Sequence, residues 1–274
     1  MRRLNLQTLT PVTSLQKSND GQEGSLLRTS RGSVLARRVL LATNGYTSHL
    51  LPQFSTLISP LQAQMSALVP SPTSPFAKHL IPKSYGFVGI GDMDRVMSDY
   101  LVQNLIRGDS QGGHLMFGGG RQKVPGHGVG VSDDSYVDHQ AEMYLRSLPE
   151  RLDLATHSEA SQSSTPNAQL LDIAGSWTGI IGSSADGHPW VGRVPDYPGL
   201  YLSSGYSGHG MTNAGLCGRY AAKLVLLDIS GEQKRGEMRG TADGQSREDG
   251  YSVPKEYILT KQRMEAVLGG TKKR

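Results

Sequence analysis

The stretch Leu200-Tyr201-Leu202-Ser203-Ser204-Gly205-Tyr206-Ser207-Gly208-His209-Gly210-Met211 decides the fold. Residues 200–204 read as a strand, and the glycines at 205, 208 and 210 make a tight loop that exposes its backbone. Behind the loop, Leu216, Tyr220, Leu224 and Leu227 recur at helical spacing until Gly231, and Thr212 or Asn213 is expected to cap the helix. Its first amides have no partner within the helix, and its dipole is positive at that end, so such a start suits electron-rich groups. The same pattern also fits a strand and helix whose glycines merely permit close packing. His209, at the apex between two glycines, reads either as a hydrogen-bond donor or proton carrier, or as a ring that stabilises the loop.

A second strand end has similar character. Val39-Leu40-Leu41-Ala42 is a continuous apolar run, the mark of a strand covered on both faces. It stops at Thr43-Asn44-Gly45-Tyr46, a polar turn at a carboxyl end, where open α/β sheets place their ligands. Upstream, residues 4–16 are extended and broken at Pro11, Asn19-Asp20-Gly21 marks a turn, and residues 26–29 with 33–36 form a hairpin. From residue 57 the texture changes to short strands between Gly and Pro turns: 61–69, 85–88, 100–106 and 115–117. One helix is expected over 139–152, with Ala141, Tyr144, Leu145 and Leu148 on one face. The polar stretch 156–167 reads as a surface loop, and 170–181 as a returning strand. Asp186-Gly187 then turns into Trp190-Val191-Gly192. Residues 231–250 read as an irregular excursion and 256–268 as a terminal helix. The implied division is 1–56 with 175–230 as one domain, 57–174 as an inserted sheet domain, and 231–274 as a tail.

Composition narrows the class. A chain of 274 residues, 36% hydrophobic and 19% charged, fits a globular protein of one or two domains. The net charge of +4 is spread thinly, without the basic stripe and interleaved aromatics of a nucleic-acid binder. Cys217 is the sole cysteine, so neither an internal disulfide nor a cysteine cage can form. The eight histidines lack metal-ligand spacing and no HExxH occurs, so no metal site is expected. No apolar run is long enough to span a membrane, residues 1–5 lack a secretory core, and the final Lys-Lys-Arg is no peroxisomal address. A cytoplasmic location is the expectation.

Two further glycine strings invite chemistry. Gly108-Asp109-Ser110-Gln111-Gly112 matches the Gly-x-Ser-x-Gly of hydrolases, but it joins two sheet strands instead of a strand and a helix. Gly118-Gly119-Gly120-Arg121 could let a flat ligand approach the backbone, with the Arg121 fork gripping a carboxylate, or could be a sheet-edge bulge with a solvated arginine. Trp177 and Tyr206 read either as aromatic walls of a site or as core residues with a satisfied polar tip.

Taken in order, these blocks resemble a known family. Residues 37–48 are similar to the strand and turn beside the flavin in the D-amino-acid oxidase, sarcosine oxidase and glycine oxidase superfamily. Pro60-Leu61-Gln62-Ala63-Gln64-Met65 resembles the first strand of its substrate domain, and Tyr100-Leu101-Val102-Gln103 and Gly118-Gly119-Gly120-Arg121 resemble later strands. Trp177-Thr178-Gly179-Ile180, residues 186–192 and residues 205–211 resemble its closing FAD-contact segment. Tyr257 to Thr260 with Arg263 resembles the tail of fungal members.

The resemblance implies an α/β (α+β) architecture: an FAD/NAD(P)-binding Rossmann-like domain with an inserted, mainly antiparallel substrate-domain sheet. It implies oxidation of a C–N bond in a small amine or amino acid, by hydride transfer to FAD, hydrolysis of the imine and reoxidation by oxygen. By the same likeness Thr43, Asn44, Gly45, Gly205, Gly208, His209, Gly210 and Met211 fall at the cofactor. Arg121, Trp177 and Tyr206 fall at the substrate, and no side chain is assigned as a general base. Some relatives tether FAD through a Cys in the segment matching 177–182; none stands there, so a non-covalent flavin is expected.

The chain departs from the family in lacking any Gly-x-Gly-x-x-Gly unit; Gly89-Ile90-Gly91 breaks at Asp94 and Gly126-His127-Gly128 at Val131. The expectation is therefore a carboxyl-terminal portion of such an oxidoreductase. The alternatives are a non-catalytic remnant acting as an interaction module, and a serine hydrolase resting on Ser110.

Overall fold

The computed structural model describes residues 4–18, 24–72, 74–88, 98–105, 112–148, 170–230 and 253–271. The expected turn at Asn19-Asp20-Gly21, the Ser110 string, Gly89 to Gly91, the stretches 156–167 and 231–250, and the last residues of the 139–152 helix lie outside the described residues. In chain order the strands are β1 (Val12–Lys17), β2 (Ser25–Thr29), β3 (Gly32–Ala36), β4 (Val39–Leu41), β5 (Ile58–Leu68) and β6 (Tyr85–Val88). They continue as β7 (Ser98–Leu105), β8 (Gly112–Gly119), β9 (Ile173–Ser184), β10 (Trp190–Arg193) and β11 (Leu200–Ser204). The helices are α1 (Thr47–Leu50), α2 (Pro75–Lys78), α3 (His139–Arg146), α4 (Gly210–Ser230) and α5 (Lys261–Thr271). The chain forms two compact units, Met1–Pro60 with Ile181–Arg274, and Leu61–Ile180.

In the first unit β1, β2 and β3 make an antiparallel meander, and a second sheet has the order β10-β11-β4. Strands β11 and β4 run parallel, with Leu200 beside Val39, Tyr201 beside Leu40 and Leu202 beside Leu41. Alternation sends Leu200, Leu202, Val39 and Leu41 into one core with Leu50, Phe54, Leu57, Ile58 and Trp190. The opposite phase carries Tyr201, whose hydroxyl bonds Asp228 of α4, beside an Arg193–Asp228 ion pair at 2.8 Å.

Two expectations need correction here. Strand β4 is not covered on both faces: Leu40 is 38% exposed, because α4 packs on β10 and β11 and β4 lies beyond β11 in the sheet order. Nor does α4 bury Leu216, which is 55% exposed; the buried stripe is Cys217, Ala221 and Leu224. Small side chains at 217 and 221 let the helix lie close on the sheet, and packing of that kind is invisible to a search for large apolar residues.

Burial pushes the Cys217 thiol up, more than its contact with Tyr206 draws it down. Alkylation of native protein at neutral pH should therefore be at least about tenfold slower than of the denatured chain. A mass-spectrometric time course giving equal rates would contradict this packing of α4.

The tail closes the unit. Leu259 N donates to Val191 O at 2.9 Å, and Ile258 bridges Val191 in parallel fashion. The terminal helix starts at Lys261, later than residue 256, because Thr260 Oγ1 accepts from Arg263 N at 3.1 Å as an N-cap.

The second unit carries the sheet β6-β7-β8-β5-β9, antiparallel at β6/β7, β7/β8 and β5/β8. One face buries Leu68, Leu101, Leu115 and Phe117 against Tyr144 and Leu145 of α3 and Leu148 beyond it. Asp138 caps α3 by accepting from Ala141 N at 3.0 Å. The residues in the other phase stay open, Tyr100 at 48% and Val102 at 40%. No described helix is long and apolar enough to cross a membrane.

Candidate functional site

Parallel pairing of β4 with β11 delivers both carboxyl ends to the same edge of the sheet, so the turns that follow them must meet. They do so through the side chains of Asn44, Thr47 and Ser204. Asn44 sits at φ +44°, and its Oδ1 accepts from Gly205 N at 3.1 Å and Tyr206 N at 3.2 Å. Its own amide donates to Ser204 Oγ at 3.2 Å. Thr47 Oγ1 donates to the same Ser204 oxygen at 2.9 Å and lies 2.9 Å from Thr43 Oγ1. Gly45 is buried at the centre of this knot. From the end of β9 Gly182 comes so close that a Cβ there would stand 2.5 Å from Asn44 Oδ1 and 2.8 Å from Gly45 N.

The loop beyond Gly205 turns outward. Gly205, Ser207 and Gly208 all have positive φ, and His209 N closes the turn on Tyr206 O at 2.8 Å. His209 Nδ1 lies 3.1 Å from Ser207 O. A carbonyl only accepts, so in the neutral ring Nδ1 carries the proton and Nε2 presents its lone pair. The ring thus braces the loop at an exposed apex. A Cβ at Gly208 would meet nothing within 4 Å, and Met211 is fully exposed. The apex is open.

Helix α4 begins at Gly210, earlier than the expected cap. Thr212 and Asn213 are not N-cap acceptors: each donates to His209 O at 3.0 Å from within the first turn. The first amides of α4 have no acceptor inside the helix and project from its open end. Such an arrangement can present backbone donors and a positive dipole end to an electron-rich planar group.

Tyr206 turns inward, 8% exposed, packs with Val191, Cys217 and Ala221, and shares a 2.6 Å hydrogen bond with Ser203 Oγ. Its ring is thus packed in the core with a satisfied polar tip. Trp177 and Arg121 belong to the second unit. Arg121 Nε donates to the His127 carbonyl at 3.1 Å, fastening two successive turns.

The glycines before Arg121 make room for the protein's own side chains, not for a flat ligand. The Tyr100 ring lies over Gly118, the Asp99 carboxylate occupies the space of a Cβ at Gly119, and Gly120 N donates to Asp99 Oδ1 at 2.9 Å. Asp99 also accepts from the Tyr144 hydroxyl.

Tyr100 and Met65, on the open face of this sheet, went unnoticed as site candidates in the sequence. Tyr100 pairs with Gly118, and Gly118 pairs with Met65. Ser66 meets Ser176 across the next pair of strands at 2.9 Å, so alternation turns Trp177 to the face of Met65. Trp177 is 45% exposed. Although Tyr100 is half exposed, its phenolic oxygen lies against Gly118, and that burial raises its pKa. The period-2 pattern of 99–104, with Asp99, Leu101 and Gln103 inward, was the available signal. Among the described residues no group of three or more metal-ligating side chains occurs.

Comparison with known proteins bears on this geometry. The family model "FAD dependent oxidoreductase" matches residues 3–224. Among curated proteins, a probable oxidoreductase OrdL of Rhizobium meliloti is 25% identical over 202 residues, covering 73% of this chain and 38% of that protein. Gamma-glutamylputrescine oxidoreductase of Escherichia coli is 25% identical over 221 residues, covering 80% of this chain and 43% of its own length. Among solved structures, glycine oxidase from Geobacillus kaustophilus superposes with a TM-score of 0.53 at 19% identity, over 79% of this chain and 48% of that one. The chain thus spans less than half the length of these relatives, and the fold is that of the FAD-binding oxidoreductases.

Proposed function

The chain belongs to the family of FAD-dependent oxidoreductases, and from that premise we propose that it serves in oxidising the C–N bond of a small amine or amino acid at a non-covalently held flavin. The observation that carries this reading is the Asn44 junction, which binds the two strand ends into one corner with the open apex beside it. Thr43, Asn44 and Gly45 form the fixed side of the proposed flavin contact, and Gly208 to Met211 the facing side. Gly208 and Gly210 let a planar ring approach the backbone, and the first amides of α4 meet its electron-rich edge. When bound, the flavin accepts the hydride; the protein supplies orientation and a water-poor setting. No cysteine lies in 177–182, and Cys217 is 3% exposed within α4, which supports non-covalent attachment.

For the substrate we infer the open face of the five-stranded sheet. Tyr100, Met65 and Trp177 offer aromatic and thioether surface to the carbon chain of an amine, and the ring faces attract an ammonium. Arg121 is the side chain for a substrate carboxylate, with a planar guanidinium suited to two parallel hydrogen bonds. The relatives named for gamma-glutamylputrescine and glycine both act on compounds with an amine nitrogen, in keeping with this class.

The test is direct. Protein mixed with FAD and desalted should elute yellow, and anaerobic addition of an amine from a panel including putrescine, glycine and benzylamine should bleach the flavin band. Trp177→Ala should raise the amine concentration for half-bleaching about tenfold, equivalent to roughly 1.4 kcal/mol of lost binding. A colourless eluate from the unaltered protein would reject the reading.

A further inference from the structure

We propose that Arg263, on the terminal helix α5, is a positioning residue that holds the His209 apex in place through Asp186, Ser184 and Ser207. The functional weight of this inference rests on the apex being the flavin contact; its structural content does not. The side chain is only 12% exposed and all three guanidinium nitrogens are engaged. Nε and Nη2 grip Asp186 in a fork at 2.9 and 3.0 Å, Nη1 donates to Pro189 O at 3.0 Å, and Nη2 also reaches His188 O at 3.1 Å. Its plane lies over Trp190, with Cζ 3.6 Å from the ring centroid. Burial works against this charge and lowers its pKa, and the facing Asp186 carboxylate and Glu256 offset part of that effect. A cation is withdrawn from water in this way only where fixed partners receive it.

From Asp186 the contacts lead towards the apex without a gap. Ser184 Oγ donates to Asp186 Oδ1 at 2.9 Å and accepts from Trp190 Nε1 at 2.9 Å, which fixes the serine. Ser184 N then donates to Ser207 Oγ at 2.9 Å, and Ser207 N donates to Gly182 O at 2.8 Å. Ser207 is therefore held through its hydroxyl and its amide together. It needs this, being a non-glycine residue at φ +50°, a conformation that persists only when its surroundings impose it. Its carbonyl is the one that His209 Nδ1 meets. A simple staple between α5 and the turn before β10 would account for the Arg263–Asp186 fork, but not for Ser184 presenting its amide to the Ser207 hydroxyl.

Amide hydrogen exchange decides between the two. In Arg263→Ala the Ser207 and His209 amides should exchange at least tenfold faster, while Leu202 in β11 keeps its rate. Asp186→Asn should give the same pattern, and Arg263→Lys, which keeps the charge but not the fork, an intermediate one. In a Ser207→Ala background the Arg263→Ala change should add nothing at His209, as expected when both act on one path. Faster exchange confined to Leu259 and α5, or an additive double variant, would overturn the proposal. Uniform acceleration in Arg263→Ala would count as unfolding, and Asp186→Asn with Arg263→Lys then decide. Absence of flavin binding by the unaltered protein would reject the functional reading, yet these exchange rates would still test the path.

Discussion

Asn44→Ala should lower stability by about 3 kcal/mol and abolish flavin retention. The change leaves the Gly205 and Tyr206 amides without the oxygen they now bond at 3.1 and 3.2 Å, each worth about 1–3 kcal/mol when buried. It also places a Cβ-bearing residue without a helpful polar side chain at φ +44°, at a cost of roughly 1 kcal/mol. Two further variants separate these contributions. Asn44→Gly relieves the backbone and keeps only the loss of the acceptor, so it should fall about 1 kcal/mol short of the alanine effect. Asn44→Asp keeps an acceptor at the same place and should be milder still. Urea unfolding midpoints check the series, and a loss below about 0.5 kcal/mol for alanine would mean that the junction does not hold the two strand ends together.

Gly182→Ala should cost on the order of 3 kcal/mol or more, for a steric reason. Of the three atoms nearest the new Cβ, the carbonyl carbon of Asn44 and the amide nitrogen of Gly45 are backbone, each 2.8 Å away, and cannot rotate aside. The variant must push the 43–45 turn from Gly205 and break the Asn44 bonds as it does so. Gly179→Ala in the same strand is the control: a Cβ there meets nothing within 4 Å, and its effect should stay within about 0.5 kcal/mol. Because Gly182 and Asn44 act on one contact, their double variant should lose clearly less than the two single losses combined.

The strand, loop and helix of 200–230 were legible because three glycines and a helical apolar period lie within one short stretch, and the polar turn after Leu41 because it ends an apolar run abruptly. What escaped the sequence shares one trait: it depends on where a residue faces, not on what it is. Leu216 carries the apolar signal of α4 but stands exposed, while the inconspicuous Cys217 and Ala221 make the contact. Gly118 and Gly119 read either as space for a ligand or as a sheet-edge bulge, and Tyr100 and Asp99 occupy that space. Tyr206 and Trp177 looked alike as aromatic candidates, and only the packing of each separates the buried ring from the open one. The path from Arg263 to Ser207 joins positions far apart in sequence through a main-chain donor and two serine hydroxyls, groups that leave no pattern in a linear reading.

The central claim is that the Asn44 turn and the His209 apex form one flavin-binding corner. Titration of the nitrogen-15-labelled protein with FAD, followed by amide spectra, tests it most directly. The account predicts shifts at Asn44 and Gly45 together with Gly208 to Met211, growing at a common rate as FAD is added. Shifts confined to other parts of the chain, or at only one of the two turns, would contradict it.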